Sequence, residues 1–364
     1  MLNASRTSSG HGFTLVIADN GSLWAWGMFG ALRFGQIGDG TTESRTTPVR
    51  IGTHSDWVSV SAGYRHSMGI RADGSLWGWG GNHFGQLGDG TTTNRHTPVH
   101  IGTHSDWVSI SAGGCTSLGI RSGGTLWAWG NNEFGQLGDG TRTVRHKPGR
   151  VGSYSDWVGA SIRGSHVLGI RSDGSLWAWG DNLNGQIGDG LRGTVRDEPI
   201  RVGTERSWDN ALAGVYISFA ICANGGLWAW GANGWGAGGN GVGTFGDGTM
   251  TSSPIPVRIG THSDWVSIST QGMAQHSLGI RADGSLWAWG NNFFGGLGNG
   301  TTIDRRTPVR IGTHSDWVGI SAGLRNSVGI RADGSVWVWG GNYLGQLGDG
   351  TINDSHIPIR ITLN

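Results

Sequence analysis

His54-Ser55-Asp56 sets the three residue types of a hydrolytic triad side by side, and the same trio recurs at His104, His262 and His314. A nucleophile, its base and the group that orients the base must converge on one point from different directions. Three consecutive residues on a turn cannot do this, and a single active site has no use for four copies. The segment therefore reads as a repeated turn in which Asp56 accepts backbone N–H groups. Gly-Asp-Gly turns at Asp39, Asp89, Asp139, Asp189, Asp247 and Asp349 offer oxygen ligands of the kind calcium prefers. Calcium β-rolls stack such turns consecutively, whereas here they recur about once per 50 residues and Asn299 replaces one Asp, so tight turns are expected.

Gly241-x-Gly243-x-x-Gly246 spells a dinucleotide fingerprint, but Thr251-Ser252-Ser253-Pro254 follows in place of the helix that would sit under a pyrophosphate. Of 13 histidines, His54, His104, His262 and His314 share one repeated place, taken by Tyr154 in another copy. A metal needs three or four ligands within about 2.0–2.6 Å, which equivalent places on separate units reach only at a common axis. These residues predict no enzyme, no metal site and no cofactor. Arg71, Arg121, Arg171, Arg281 and Arg331 form a further repeated place, expected to pair with the nearby Asp73, Asp173, Asp283 and Asp333.

The elements carrying these turns are set by repetition. Trp-x-Trp-Gly begins at Trp24, Trp77, Trp127, Trp177, Trp228, Trp287 and Trp337, so a unit of about 50 residues occurs seven times. Within one unit, residues 57–62 alternate as a strand does, a short tip leads to residues 67–71, and Asp73-Gly74 turns the chain into residues 76–79. A glycine-rich connection then reaches residues 98–101, whose leading Pro98 suits an outer edge. Four short strands without a helical period describe a propeller blade. The expectation is an all-β, seven-bladed β-propeller of four-stranded antiparallel blades, one domain over 1–364. The N-terminal segment is expected to pair beside C-terminal strands to close the ring, with Ala4 in the place of Trp57.

The 71 glycines and 21 tryptophans fit such a frame, since each Trp buries a large apolar area. With 26 basic and 25 acidic residues the net charge is +1, which gives no general attraction to nucleic acid or to an anionic membrane. Cys115 and Cys222 occupy different places in non-adjacent repeats, so free thiols are expected. No apolar stretch approaches the roughly 20 residues of a membrane span, and residues 1–10 lack the apolar core of an export signal. A monomeric, cytoplasmic protein is the corresponding expectation.

The string HSLGIRADGSLWAWGNN at residues 276–292 and GQLGDG at residues 85–90, 135–140 and 345–350 resemble the repeat of the regulator of chromosome condensation family. The resemblance extends over nearly the whole chain. It implies a propeller that grips a protein with one face, as a non-enzymatic scaffold or as a guanine nucleotide exchange factor for a small GTPase. In the exchange factor the tips between first and second strands carry acidic residues and histidines. The matching triplets here begin at His11, Tyr64, Gly114, Gly164, Val215, Ala274 and Leu324, and none contains an acidic residue.

IGTHSDWV is identical at Ile51, Ile101, Ile259 and Ile311, while the tips share almost nothing. A constant frame with a varied rim is the form a binding surface takes. Candidate partner-binding residues are therefore Phe13, Tyr64, Arg65, His66, Ser165, His166, Tyr216, Gln275, His276, Leu324, Arg325 and Asn326, with Trp235 from the longest departure, residues 231–248. A second variable set follows each Trp-x-Trp-Gly, in which Phe34, Phe84, Phe134 and Phe294 share a register suited to packing between blades.

Overall fold

The computed structural model describes residues 6–27, 34–203, 207–234, 242–270 and 276–363. Strands β1 (Thr7–Ser9), β2 (Phe13–Ile17), β3 (Leu23–Gly27) and β4 (Arg45–Arg50) pair in sequence order as one antiparallel sheet. The next repeat does the same with β5 (Trp57–Ala62), β6 (His66–Arg71), β7 (Leu76–Gly80) and β8 (Arg95–His100). Five more sheets of this kind complete a seven-bladed β-propeller. The first strands touch one another around the ring, from β1 through to Trp317–Ala322 and back to β1, and so line a central channel. The outer strand begins at Arg95, three residues before Pro98, whose missing N–H costs nothing on an edge.

Blade packing follows from three tryptophan places. Trp79, second in its motif, is fully buried, and its indole N–H donates to the Gln36 carbonyl of the preceding blade at 3.0 Å. Trp129, Trp179, Trp230, Trp289 and Trp339 repeat this bond onto Gln86, Gln136, Gln186, Thr244 and Gly296. Trp26 donates to Gln346 at 2.9 Å and closes the circle. Trp57, at the start of the first strand, packs edge-on against both Trp77 and Trp79. Its ring lies across the second strand, so a Cβ on Gly69 would come within 2.5 Å of Trp57 Cζ3.

Closure differs from the sequence expectation. Blade 1 is built wholly from β1–β4 and blade 7 wholly from Trp317–Ala322, Asn326–Arg331, Val336–Gly340 and Ser355–Ile361. No sheet mixes the two ends. The join is a packing contact: the Ser9 N–H donates to Ser321 Oγ at 2.8 Å, and Trp26 packs among Val328, Ile330 and Leu347. Ala4 lies outside the described residues; Val16 stands in blade 1 at the register that Gly69 holds in blade 2.

Two expected pairings are also replaced. Arg71 bonds Asp56 in place of Asp73, with Nε to Oδ1 and Nη2 to Oδ2 both at 2.8 Å, because Trp57 and Arg71 face each other across the ladder. Asp56 is thus a guanidinium acceptor rather than a backbone cap, and Asp73 takes the Ser75 N–H and hydroxyl. Asp106, Asp156, Asp264 and Asp316 hold their arginines in the same way.

Gly169 meets Trp157 as Gly69 meets Trp57. Gly169→Ala should therefore cost about 1–3 kcal/mol by overpacking, seen as a lower thermal midpoint. Ala220 already occupies that register beside Trp208 in the fifth blade, whose Trp208 and Trp230 centroids lie 6.4 Å apart against 5.9 Å for Trp157 and Trp179. Ala220→Gly should change the midpoint by no more than the ~0.5–1 kcal/mol backbone cost of glycine.

Candidate partner-binding face and channel mouth

In each blade the turn from first to second strand and the connection from third to fourth strand emerge at the same end, so tips and post-Trp loops share one face. The second strand is buried almost throughout, because blades stack on both of its sides. The third residue of every described tip opens that strand, and it is therefore already inside the stack. Phe13, His66, His166, His276 and Asn326 are all buried, which corrects their expected place on the outer rim. Tyr64, Arg65, Ser165, Leu324 and Arg325 are half-buried at the rim, and Tyr216 is exposed. Gln275 and Trp235 lie outside the described residues.

The buried histidines join blades. His66 Nε2 lies 2.9 Å from Ser117 Oγ of the next blade, and the Ser117 hydroxyl donates onward to the Gln86 carbonyl at 2.8 Å. With its hydrogen committed, Ser117 accepts, so His66 is the neutral Nε2–H tautomer. His166 with Ser218, and His276 with Ser327, repeat the arrangement. The Nδ1 atoms of His66 and His166 have no hydrogen-bond partner among the described residues. Burial without an acceptor for a second proton lowers the pKa of His66 and His166 to about 3 and that of His276 to about 4.

The outward residues form a cationic and aromatic cluster across blades 6, 7, 1 and 2. The Arg65 guanidinium lies 5.1 Å from the Phe34 ring and 5.3 Å from the Tyr64 ring. Arg325 lies 4.4 Å from Phe294 and 4.9 Å from Tyr343. His11 sits between them, its ring centroid 4.2 Å from Tyr64. Burial lowers the His11 pKa, and the charges of Arg65 and Arg325 lower it further. Neither arginine pairs with a carboxylate among the described residues. Phe34 and Phe294 thus pack between blades as their register suggested, while Phe293, Tyr343 and Leu183 are exposed on the same face.

Arg163 went unnoticed in the sequence, although the signal was present: it replaces the glycine that ends the first strand at Gly10, Gly63, Gly113, Gly214 and Gly323. From blade 4 its Nη1 crosses the channel mouth to the carbonyls of Ser9, at 2.9 Å, and Ala62, at 3.1 Å.

The other sequence candidates have structural roles. Burial would raise the Asp89 carboxyl, but hydrogen bonds from Thr91, Arg95 and Asn82 outweigh it and hold it below its ordinary value. These turns are ion-paired corners. His54 packs at a tilt against Trp77, with ring centroids 5.8 Å apart. Among the described residues no cluster of three His, Cys, Asp or Glu has the form of a metal site. Cys115 and Cys222 are not joined in a disulfide. No described helix is long and apolar enough to cross a membrane.

Two models of the regulator of chromosome condensation (RCC1) repeat match the chain, one over residues 20–70, 73–120, 123–170, 283–330 and 333–364 and the other over residues 57–86, 107–136, 164–186, 266–295 and 317–346. The chain belongs to this family. Neither repeat model reaches residues 187–265, where the fifth blade nonetheless has its four strands. Among solved RCC1-type propellers, Prp20p of Saccharomyces cerevisiae superposes with a TM-score of 0.80 and 20% identity, covering 96% of this chain and 88% of that one. Human WBSCR16 superposes with a TM-score of 0.76 and 21% identity, covering 87% and 84%. The ultraviolet-B receptor UVR8 of Arabidopsis thaliana is 32% identical over 80 residues, which span 21% of this chain and 18% of the receptor. A kinase and ubiquitin-ligase protein of Dictyostelium discoideum is 30% identical over 22% of this chain and 5% of its own length.

The three buried histidines give a pH prediction. Their folded pKa lies below the unfolded value of 6.5, so below pH 6.5 the unfolded chain binds protons that the native ring excludes. Their contribution to stability is complete above pH 6.5 and is lost as pH falls toward 3–4. His66→Asn, which introduces the residue blade 7 carries at Asn326, should make the fall in thermal midpoint between pH 6.5 and 4.5 shallower than in the parent.

Proposed function

We propose that this chain is a non-enzymatic protein-binding propeller whose tip face, centred on blades 7, 1 and 2, recognises a protein partner. The observation that carries the reading is the pair of arginines, Arg65 and Arg325, each held over two aromatic rings and lacking a carboxylate partner among the described residues. Arg, Tyr and Trp dominate binding energy at protein interfaces, and side chains fixed before binding lose less freedom when a partner docks. The solved structure of Prp20p is reported with its binding to Gsp1p and histones, and a second structure of it is bound to Kap60, so a relative of this fold works through protein contacts. Nucleotide exchange on a small GTPase is a narrower use of the same face, and the lack of acidic residues in the tips weighs against it.

Replacing Tyr64, Arg65, Tyr216 and Arg325 together with Ala should lower recovery of a captured protein from native lysate at least tenfold, equivalent to about 1.4 kcal/mol or more. Ala at Val108, Val158 and Val318, exposed near the other end of the first strands, should leave recovery unchanged. Equal loss in both variants, or none in the first, would remove the assignment. Addition of the chain to nucleotide-loaded small GTPases should not accelerate nucleotide release.

A further inference from the structure

Arg163 is a cation without a counter-charge among the described residues. Its Nη1 hydrogens are used by the Ser9 and Ala62 carbonyls, and those bonds fix the plane of the guanidinium across the channel. Among the described residues the Nε–H and Nη2–H groups have no acceptor, and no carboxylate pairs with the side chain. Burial lowers its pKa to about 10, so it stays charged at neutral pH. The side chain is half-buried and lines the channel cavity, so its unused N–H edge is open to an anion.

The surrounding wall supplies more donors. Ser8, Ser61, Ser161, Ser269 and Ser321 line the same cavity of about 200 Å³ as Arg163. Each accepts, through Oγ, a backbone N–H of the next blade: from Ala62, Ala112, Ala213, Ala322 and Ser9, at 2.8–3.1 Å. That bond occupies the oxygen and leaves the hydroxyl hydrogen uncommitted, since none of the five donates to another group among the described residues. Ser8 and Ser61 directly precede Ser9 and Ala62, whose carbonyls hold Arg163, so hydroxyls and guanidinium sit at one level of the channel. A cavity with a fixed guanidinium edge and several free O–H donors, whose wall also carries Ser59, Ser109, Asn210 and Ser267 beside apolar side chains such as Ile110 and Ile162, is matched to an oxyanion.

We propose that the tip-face mouth of the central channel is an oxyanion site, in which the Nε–H and Nη2–H edge of Arg163 receives a phosphate or carboxylate group and the channel serines complete its hydrogen bonds. The inference is independent of the partner reading, because the anion can be a free ion as well as a carboxylate offered by a docked protein.

The test is titration calorimetry of the full chain with inorganic phosphate and, separately, with acetate, at constant ionic strength. One-to-one binding of at least one of them is expected, weakened tenfold or more in Arg163→Gly. Glycine is the residue five other copies carry at this place, so the variant keeps the frame, checked by its tryptophan fluorescence and thermal midpoint. Arg163→Lys, which keeps the charge but loses the forked edge, should bind with intermediate affinity and is the second variant if Arg163→Gly does not fold. Tighter binding of phosphate would mark a free ion, and tighter binding of acetate a partner's carboxylate. Absence of binding to the parent chain at 10 mM (about 2.7 kcal/mol), or equal affinity in parent and variants, would overturn the site.

Discussion

Everything in this propeller rests on one bond repeated seven times, the indole N–H of the second motif tryptophan donating to a loop carbonyl of the preceding blade. A buried indole that failed to find an acceptor would carry a desolvation cost, so each tryptophan fixes where its neighbour's glycine-rich loop must lie. The loop can approach the ring because Gly38, at φ 90°, leaves no side chain where a Cβ would strike Trp79. The Gly-Gln-x-Gly segment and the Trp-x-Trp-Gly motif are therefore two halves of one joint. The hydroxyl of Ser117 and the indole of Trp129 share the Gln86 carbonyl, which ties the histidine of one blade to the tryptophan of the next.

The blade count, the four-strand order and the turns were legible because a period of about 50 residues fixed them before any residue was placed in space. Side-chain direction at the tips was less legible. Triplets such as Tyr64-Arg65-His66 look like three equivalent rim residues, but the third already belongs to a strand covered on both sides, where the usual alternation of inward and outward residues disappears. At that place His66 bonds the next blade and Ile217 packs against it, whereas Thr116 and Asn326 bond loop carbonyls of their own blades, so variation there tracks packing inside the ring. Arg163 was hidden for another reason. Only ring geometry brings a residue of blade 4 to the carbonyls of blades 1 and 2, and no local pattern encodes that approach.

Charge is distributed unevenly over a nearly neutral chain. Arginines of the repeated frame, such as Arg71 and Arg95, are matched by Asp56 and Asp89 within the same copy. Arg65, Arg163 and Arg325 occur at departures from the repeat, and the frame supplies no carboxylate for them. The net charge of +1 thus reflects cancellation inside the frame, and the field of the tip face is set by the few side chains the frame does not neutralise.

The way blade 1 meets blade 7 also bears on how such a ring changes over generations. Because no strand is shared between the ends, the joint at Trp26 and Gln346 is chemically the same as the other six, and the circle has no seam. Gain of one copy would alter the angle between neighbours only from about 51° to 45°, within the span of known propellers. Duplication or loss of a whole repeat therefore needs no matching change at a specialised closing element, and near-identical copies such as those beginning at Ile51 and Ile311 are the kind of sequence that process leaves behind.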